Sequence, residues 1–363
     1  MTKFKTSNII VYIIFVKVKK MDISKTFLDF LNSTTGNNQV ISMIVSVILL
    51  VVGFILLIKG ADTFVDGASK IAAKLNVPLI VIGLTIVAFG TSAPEAAISI
   101  NSAFQNSAGI AVGNVIGSNI LNILLILGIA ALFTAVPVKK TTFKYEIPFV
   151  IAISAILVLL GIIGGSIDKI DSIILLVLFV AFFVYLILLS KKGDNDAGDD
   201  VPTLTAKDTV PKMIIFIILG LAAIVLGSDF TVTGATAIAQ ALNVDDRIIG
   251  LTIVAFGTSL PELVTSVTAA KKQQADIAIG NVVGSNIFNI LFVIGLASLF
   301  SPNPINFENT FIIDGIVAIL AVIILWLLVF KNKKISKAGG IIMLVSYAIY
   351  FAYLLLQPTL TAA

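Results

Sequence analysis

Long apolar runs separated by short polar intervals dominate the chain. Ten of them, near 41–58, 79–101, 109–133, 147–163, 172–189, 213–235, 248–269, 277–300, 310–330 and 340–356, approach or exceed the about 20 helical residues that cross a hydrocarbon core of roughly 30 Å. None keeps the strict apolar–polar alternation of a barrel strand, so the pattern predicts helices. The fold class is an all-α integral membrane protein with ten transmembrane helices. Composition points the same way: 58% of residues are apolar and 12% charged, against about a quarter charged in soluble domains.

A repeat organises these runs. Residues 83–95 read GLTIVAFGTSAPE and residues 250–262 read GLTIVAFGTSLPE, differing only at Ala93 against Leu260. Residues 113–124, GNVIGSNILNIL, recur at 280–291 as GNVVGSNIFNIL. The offset is 167 residues in both cases (250 − 83 and 280 − 113), and it aligns Asp62 with Asp229. Asp314, in the ninth run, has no partner at this offset. Each copy contributes five spans, an odd number, so the second copy enters the membrane upside down relative to the first. The charges follow that inversion: Lys70 and Lys74 align with Ala237 and Ala241, whereas Phe104 and Gln105 align with Lys271 and Lys272. Two inverted-topology repeats of five helices, with a site near the midplane, are the architecture of secondary transporters.

The lysines orient the chain. Sixteen of them (Lys59, Lys70, Lys74, Lys139, Lys140, Lys144, Lys191, Lys192, Lys207, Lys212, Lys271, Lys272, Lys331, Lys333, Lys334 and Lys337) fall between odd and even spans, and the other loops hold Lys169 and Arg247. The positive-inside rule places the odd-to-even loops in the cytoplasm and both termini outside. Domain boundaries follow: an N-terminal extension over 1–40, external or from a misassigned start, a first repeat over 41–190, a flexible cytoplasmic linker over 191–212, and a second, inverted repeat over 213–363. Residues 1–20 hold an apolar run too short to span and read as an upstream extension or, alternatively, a weak signal-like segment.

Chemistry in this chain runs on oxygen. There is no Cys and no His, which excludes thiolate ligands, disulfides and imidazole relays. Glu95 and Glu262 lie well inside their spans, with no Lys or Arg at comparable depth. Each costs about 2.5–3.5 kcal/mol at a helix centre, and a bound cation, or a proton in its absence, is the natural compensation. Thr91 and Ser92 precede Glu95 by four and three residues, so hydroxyls and carboxylate share a helix face, as do Thr258, Ser259 and Glu262. Pro94 and Pro261 free carbonyls one turn back. Ser118 with Asn122, and Ser285 with Asn289, are spaced i, i+4. Carboxylates, amide and backbone carbonyls and hydroxyls suit hard cations such as Ca²⁺ and Na⁺.

GTSAPE and GTSLPE, each followed by GSNxxN, resemble the α-repeats of the cation/Ca²⁺ exchanger superfamily, specifically its prokaryotic sodium/calcium exchanger branch. The resemblance covers about residues 41 to 357. It implies alternating access between two inverted groups of five helices and electrogenic exchange of Na⁺ for Ca²⁺, with spans one and six rocking against the rest. By motif position it implies that Thr91, Ser92, Glu95, Ser118, Asn122, Thr258, Ser259, Glu262, Ser285 and Asn289 hold the ions. The proton-coupled branch resembles Gly-Asn-Ala-Val-Glu at this place, which neither copy carries. Some exchangers have Asp at Asn122 or Asn289, so K⁺-assisted or proton-coupled exchange of Ca²⁺ or another cation stays open as the alternative. The partners expected are Ca²⁺ and Na⁺ as substrates and the lipid bilayer of the cell membrane, with no nucleic acid and no cofactor beyond the transported ions. One chain suffices for the site, whatever the oligomeric state.

Plainer readings stand beside these. A buried Glu can be a protonated structural acid, though two at matched positions weigh against it. Serines and asparagines glue membrane helices together, and Asn114, Asn119, Asn281 and Asn286 read better as glue than as ligands. Asp62 and Asp229 lie near span ends and read as structural. A passive channel calls for a ring of subunits or a continuous pore, and an intramembrane enzyme on two carboxylates lacks a partner nucleophile or His, so the expectation is a transporter and not an enzyme.

Overall fold

A computed structural model describes residues 39–104, 108–191, 204–205, 208–242, 255–307 and 309–360. The extension over 1–40, save its last two residues, and most of the linker over 191–212 lie outside the described residues. So does the start of the seventh span, at 243–254. Among the described residues, eight helices are long and apolar enough to cross a membrane, and a bent pair, Leu79–Thr91 with Ala93–Ile100, makes a ninth. The helices Ala255–Thr258 and Leu260–Lys271 belong to the remaining span. The protein is an all-α, multi-pass membrane protein built on the twofold repeat.

The first helix is longer than its apolar run. It extends over Gln39–Leu75, 37 residues, or about 55 Å at 1.5 Å per residue, so Lys59 and Lys70 ride on helix and not in a loop. Its repeat counterpart, Val210–Ala241, has 32 residues. Neither sequence carries a Pro or a capping signal where the apolar run stops, so the helix continues on its polar face. Pro211 sits in the first turn of the second, where its missing N–H costs nothing.

The described chain falls into two compact units, Met1–Leu57 with Ile224–Thr258, and Ile58–Ala223 with Ser259–Ala363. In the smaller unit a methyl group on Gly53 would stand 2.4 Å from Thr231 Oγ1, so the two long helices touch there backbone to backbone. In the larger unit burial marks the centre. Spans Ile110–Phe133 and Ala275–Phe300 have 78% and 83% of their most apolar windows buried, against 22% for Lys169–Lys191 and Lys337–Leu356. The outer spans turn Ile173, Val177, Val180, Val345 and Ile349 outward, as lipid-facing helices do. Within the core, helix Leu79–Thr91 lies on Ala275–Ile287 at Gly83 and Gly280: a Cβ on Gly83 would be 2.9 Å from the Gly280 Cα.

Two small strand pairs clip the loops. Strand β1 (Val136–Pro137), β2 (Ser166–Ile167), β3 (Ile305–Asn306) and β4 (Lys334–Ile335) pair antiparallel as β1 with β4 and β2 with β3. The loop after span three thus meets the loop after span nine, and the loop after span four meets the loop after span eight. Loops that pair lie on one side of the membrane, so the span parity read from sequence holds. Strands β2 and β4 are offset by 168 residues (334 − 166). That register gives Asp314 the counterpart it lacks at 167, namely Glu146. Both acids accept a hydrogen bond from a tyrosine on the following span, Glu146 from Tyr185 and Asp314 from Tyr350 at 3.1 Å. One residue of drift in the outer loops hides this pair from a fixed-offset comparison.

Charge clasps the helix ends. Lys272 Nζ lies 2.8 Å from Asp62 Oδ1, which accounts for Asp62 as structural. Lys70 Nζ lies 3.1 Å from both Asp66 and Asp208. The Thr205 backbone N–H and hydroxyl, at 2.8 and 2.7 Å, also bind Asp208, and together with Lys70 they hold its carboxyl below the usual aspartate range. A carboxyl lowered on folding stabilises above its unfolded pKa, about 3.9, and loses that contribution as pH falls through the folded value. Asp208→Asn is therefore expected to lower the unfolding midpoint in detergent at neutral pH and to flatten its decline below pH about 4. Gly83→Ala and Gly280→Ala are expected to destabilise by about 1–3 kcal/mol through overpacking, read in the same assay.

Candidate cation site

Each repeat breaks one helix at a serine. Ser92 has φ −82° and ψ 6°, and Ser259 has φ −95° and ψ 7°. The helices on either side of Ser92 differ in direction by 52°. Pro94 and Pro261 then lie in the first turn of the restarted helices Ala93–Phe104 and Leu260–Lys271, where no N–H is required of them. This puts Glu95 and Glu262 in the first turns of half-helices, where the helix dipole favours negative charge.

Ser-x-x-Glu ahead of an apolar run is a capping-box pattern, yet the serines do something else. Ser92 Oγ donates to Glu262 Oε1 at 2.8 Å, and Ser259 Oγ donates to Glu95 Oε1 at 3.2 Å. Each hydroxyl serves the carboxylate of the opposite repeat. Glu95 and Glu262 are 1% and 0% exposed and feel each other's charge. Their second oxygens, Glu95 Oε2 and Glu262 Oε2, have no hydrogen-bond partner among the described residues.

Asparagines hold the scaffold. Asn114 Nδ2 donates to Ser99 Oγ at 2.9 Å and to the Glu95 carbonyl at 3.4 Å, and Asn281 Nδ2 donates to Ser266 Oγ at 2.8 Å and to the Glu262 carbonyl at 3.3 Å. Thr91 Oγ1 reaches Asn281 Oδ1 at 3.0 Å. Spans three and eight widen into π-helix at Asn122–Ile126 and Phe288–Ile294, a distortion common at functional sites. At those turns Asn122 Nδ2 donates to Asn286 Oδ1 and Asn289 Nδ2 to Asn119 Oδ1, both at 3.2 Å. Among the described residues, Asn122 Oδ1, Asn289 Oδ1 and Ser285 Oγ have no hydrogen-bond partner.

Nine of the ten expected residues, Thr91, Ser92, Glu95, Ser118, Asn122, Ser259, Glu262, Ser285 and Asn289, lie in the larger unit, and all nine are buried. Ser118 Oγ accepts from Asn289 Nδ2 at 3.2 Å. Thr258 closes the helix Ala255–Thr258 in the smaller unit and is half-buried. Thr265 is not among the ten, yet its hydroxyl is buried without a partner one turn past Glu262. Its repeat counterpart is the apolar Ile98, so the twofold comparison carried no sign of it. Five of the nine, Glu95, Glu262, Asn122, Asn289 and Ser285, each carry a buried oxygen without a hydrogen-bond partner among the described residues, all of them hard oxygen donors to a metal ion. Each unsatisfied buried acceptor costs about 1–3 kcal/mol, and a desolvated cation is the species that recovers it.

The model of the sodium/calcium exchanger protein family matches residues 45–188 and 212–356. A sodium/calcium exchanger of Methanosarcina acetivorans is 36% identical over 81% of this chain and 94% of its own length. An inner membrane protein of Escherichia coli K12 is 31% identical over 86% of this chain and 97% of its own. Among solved structures, the sodium-calcium exchanger NCX_Mj, soaked without Na⁺ and Ca²⁺, superposes with a TM-score of 0.74 at 36% identity, covering 85% of this chain and 98% of that one.

Ser92→Ala and Ser259→Ala each strip a carboxylate of the hydroxyl donor that the opposite repeat supplies. Each is expected to destabilise the cation-free protein by about 1–3 kcal/mol, measured as a lower unfolding midpoint in detergent. A drop in one alone would show that the crossed bonds are not equivalent.

Proposed function

Because the chain belongs to the sodium/calcium exchanger protein family, we propose that it is a secondary antiporter that exchanges Na⁺ for Ca²⁺ across the cell membrane. The observation that supports this reading best is the group of buried oxygens on Glu95, Glu262, Asn122, Asn289 and Ser285 that have no hydrogen-bond partner among the described residues. Glu95 and Glu262 hold Ca²⁺ between them, and the amide oxygens of Asn122 and Asn289 add neutral ligands. The hydroxyls of Thr91, Ser92, Ser118, Ser259 and Ser285 hold Na⁺ once Ca²⁺ has left. The two repeats, 41–190 and 213–363, present this site alternately to either side, and the odd-to-even loops with the linker 191–212 face the cytoplasm.

Charge balance supplies the coupling. Two desolvated carboxylates without a counterion repel each other in a low-dielectric interior, so the cation-free site resists closure. One Ca²⁺, or Na⁺ in sufficient number, cancels the charge and permits the switch. Each crossing then carries an ion, and the Na⁺ gradient drives Ca²⁺ the other way. If one net charge moves per cycle, the membrane potential contributes about 2.3 kcal/mol per 100 mV.

The test is ⁴⁵Ca²⁺ uptake into Na⁺-loaded proteoliposomes, with and without an outward Na⁺ gradient. Uptake by the wild type is expected to need the gradient, and Glu95→Gln and Glu262→Gln are expected to reduce it to background. Uptake that ignores Na⁺ and follows a pH gradient, or that requires K⁺, would replace Na⁺/Ca²⁺ exchange with the proton-coupled or K⁺-assisted form.

A further inference from the structure

Which end of the Asn122 and Asn289 amides faces the cation is decided elsewhere. A carboxamide is an acceptor at one end and a donor at the other, and an NH₂ turned inward would repel a cation. At Asn122 the NH₂ is taken by Asn286 Oδ1, and at Asn289 by Asn119 Oδ1 and Ser118 Oγ, all at 3.2 Å. Asn286 and Asn119 could themselves turn over, but their own NH₂ groups are committed. Asn119 Nδ2 donates to the Asn286 backbone carbonyl, and Asn286 Nδ2 to the Asn119 backbone carbonyl, both at 3.2 Å. A backbone carbonyl only accepts. Two of them therefore set the direction of four side chains, and the direction leaves Asn122 Oδ1 and Asn289 Oδ1 as the oxygens without donors.

We infer that Asn119 and Asn286 are positioning residues for cation binding: each orients the amide of the opposite repeat, Asn286 that of Asn122 and Asn119 that of Asn289, oxygen inward. The inference rests on the exchanger reading and adds a role to residues that otherwise only tie helices together. Flipping Asn286 would set its NH₂ against the NH₂ of Asn122 and its Oδ1 against the backbone carbonyl oxygen of Asn119, so the fixed carbonyls hold the whole set in one direction.

The experiment is equilibrium ⁴⁵Ca²⁺ binding to the purified full chain, with exchange in proteoliposomes alongside, for wild type, Asn286→Ala, Asn122→Asp and the double variant. Groups that orient metal ligands change affinity by about 10–100-fold when removed. Asn286→Ala is expected to weaken Ca²⁺ binding and raise KM by about tenfold or more while the maximal rate changes little. In the Asn122→Asp background an oxygen faces the cation whichever way the group turns, so Asn286→Ala is expected to cost no more than about twofold, a non-additive pair. The same loss in both backgrounds would overturn the inference and leave Asn286 a helix tie. Should Asn286→Ala fail to fold, Asn119→Ala with and without Asn289→Asp runs the same cycle on the other side. A wild type that binds no Ca²⁺ would defeat the exchanger reading itself, a result distinct from binding that is indifferent to Asn286.

Discussion

Two carboxylates buried in one place are the constraint on which this molecule turns. Glu95 and Glu262 are sealed from water, near enough to sense each other, and each is steadied by a serine from the opposite repeat. Such a pair is tolerable only with a cation or under strong local support, and the support is visible around it. The helix breaks at Ser92 and Ser259 aim two half-helix N-termini at the charges. The close contact at Gly83 and Gly280 lets the broken helix of one repeat reach the central span of the other. On the central spans Asn122 and Asn289 commit their NH₂ groups to Asn286 and Asn119, which leaves their amide oxygens without a partner among the described residues.

Much of this was legible in the sequence. The ten runs, the inverted repeat and the paired glutamates follow from apolar length, span parity and the cost of charge in lipid, each a coarse signal that tertiary context rarely overturns. The details that escaped are those set by contact. A capping-box pattern at Ser92 correctly marks a helix start, but nothing local says that its hydroxyl will reach across to Glu262. The π-helical turns at Asn122 and Phe288 follow ordinary helix-forming residues and leave no periodic trace. Thr265 escaped because a comparison of copies cannot see what only one copy has. The extended polar half of the first helix escaped because apolar length measures the span and not the helix.

The periphery repeats the logic of the centre with weaker means. Glu146 with Tyr185, and Asp314 with Tyr350, tie the fourth span to the fifth and the ninth to the tenth, while the strand pairs tie loops to loops. Here each acid accepts from a tyrosine hydroxyl. A tyrosine hydroxyl serves each of these carboxyls, and the central pair keeps one oxygen on each glutamate without a partner among the described residues.

The crossed bonds carry a historical consequence. Ser92 to Glu262 and Ser259 to Glu95 are one contact made twice about a pseudo-twofold axis, the form of an isologous interface between identical subunits. In a dimer of separate copies every substitution is made twice, and a ligand site on the axis can never become lopsided. Joined in one chain, the halves are free to differ, and Thr265 facing a repeat position held by Ile98 is such a one-sided change beside the site. Two copies in one chain can therefore do what two identical subunits cannot: alter one wall of the candidate site while keeping the other.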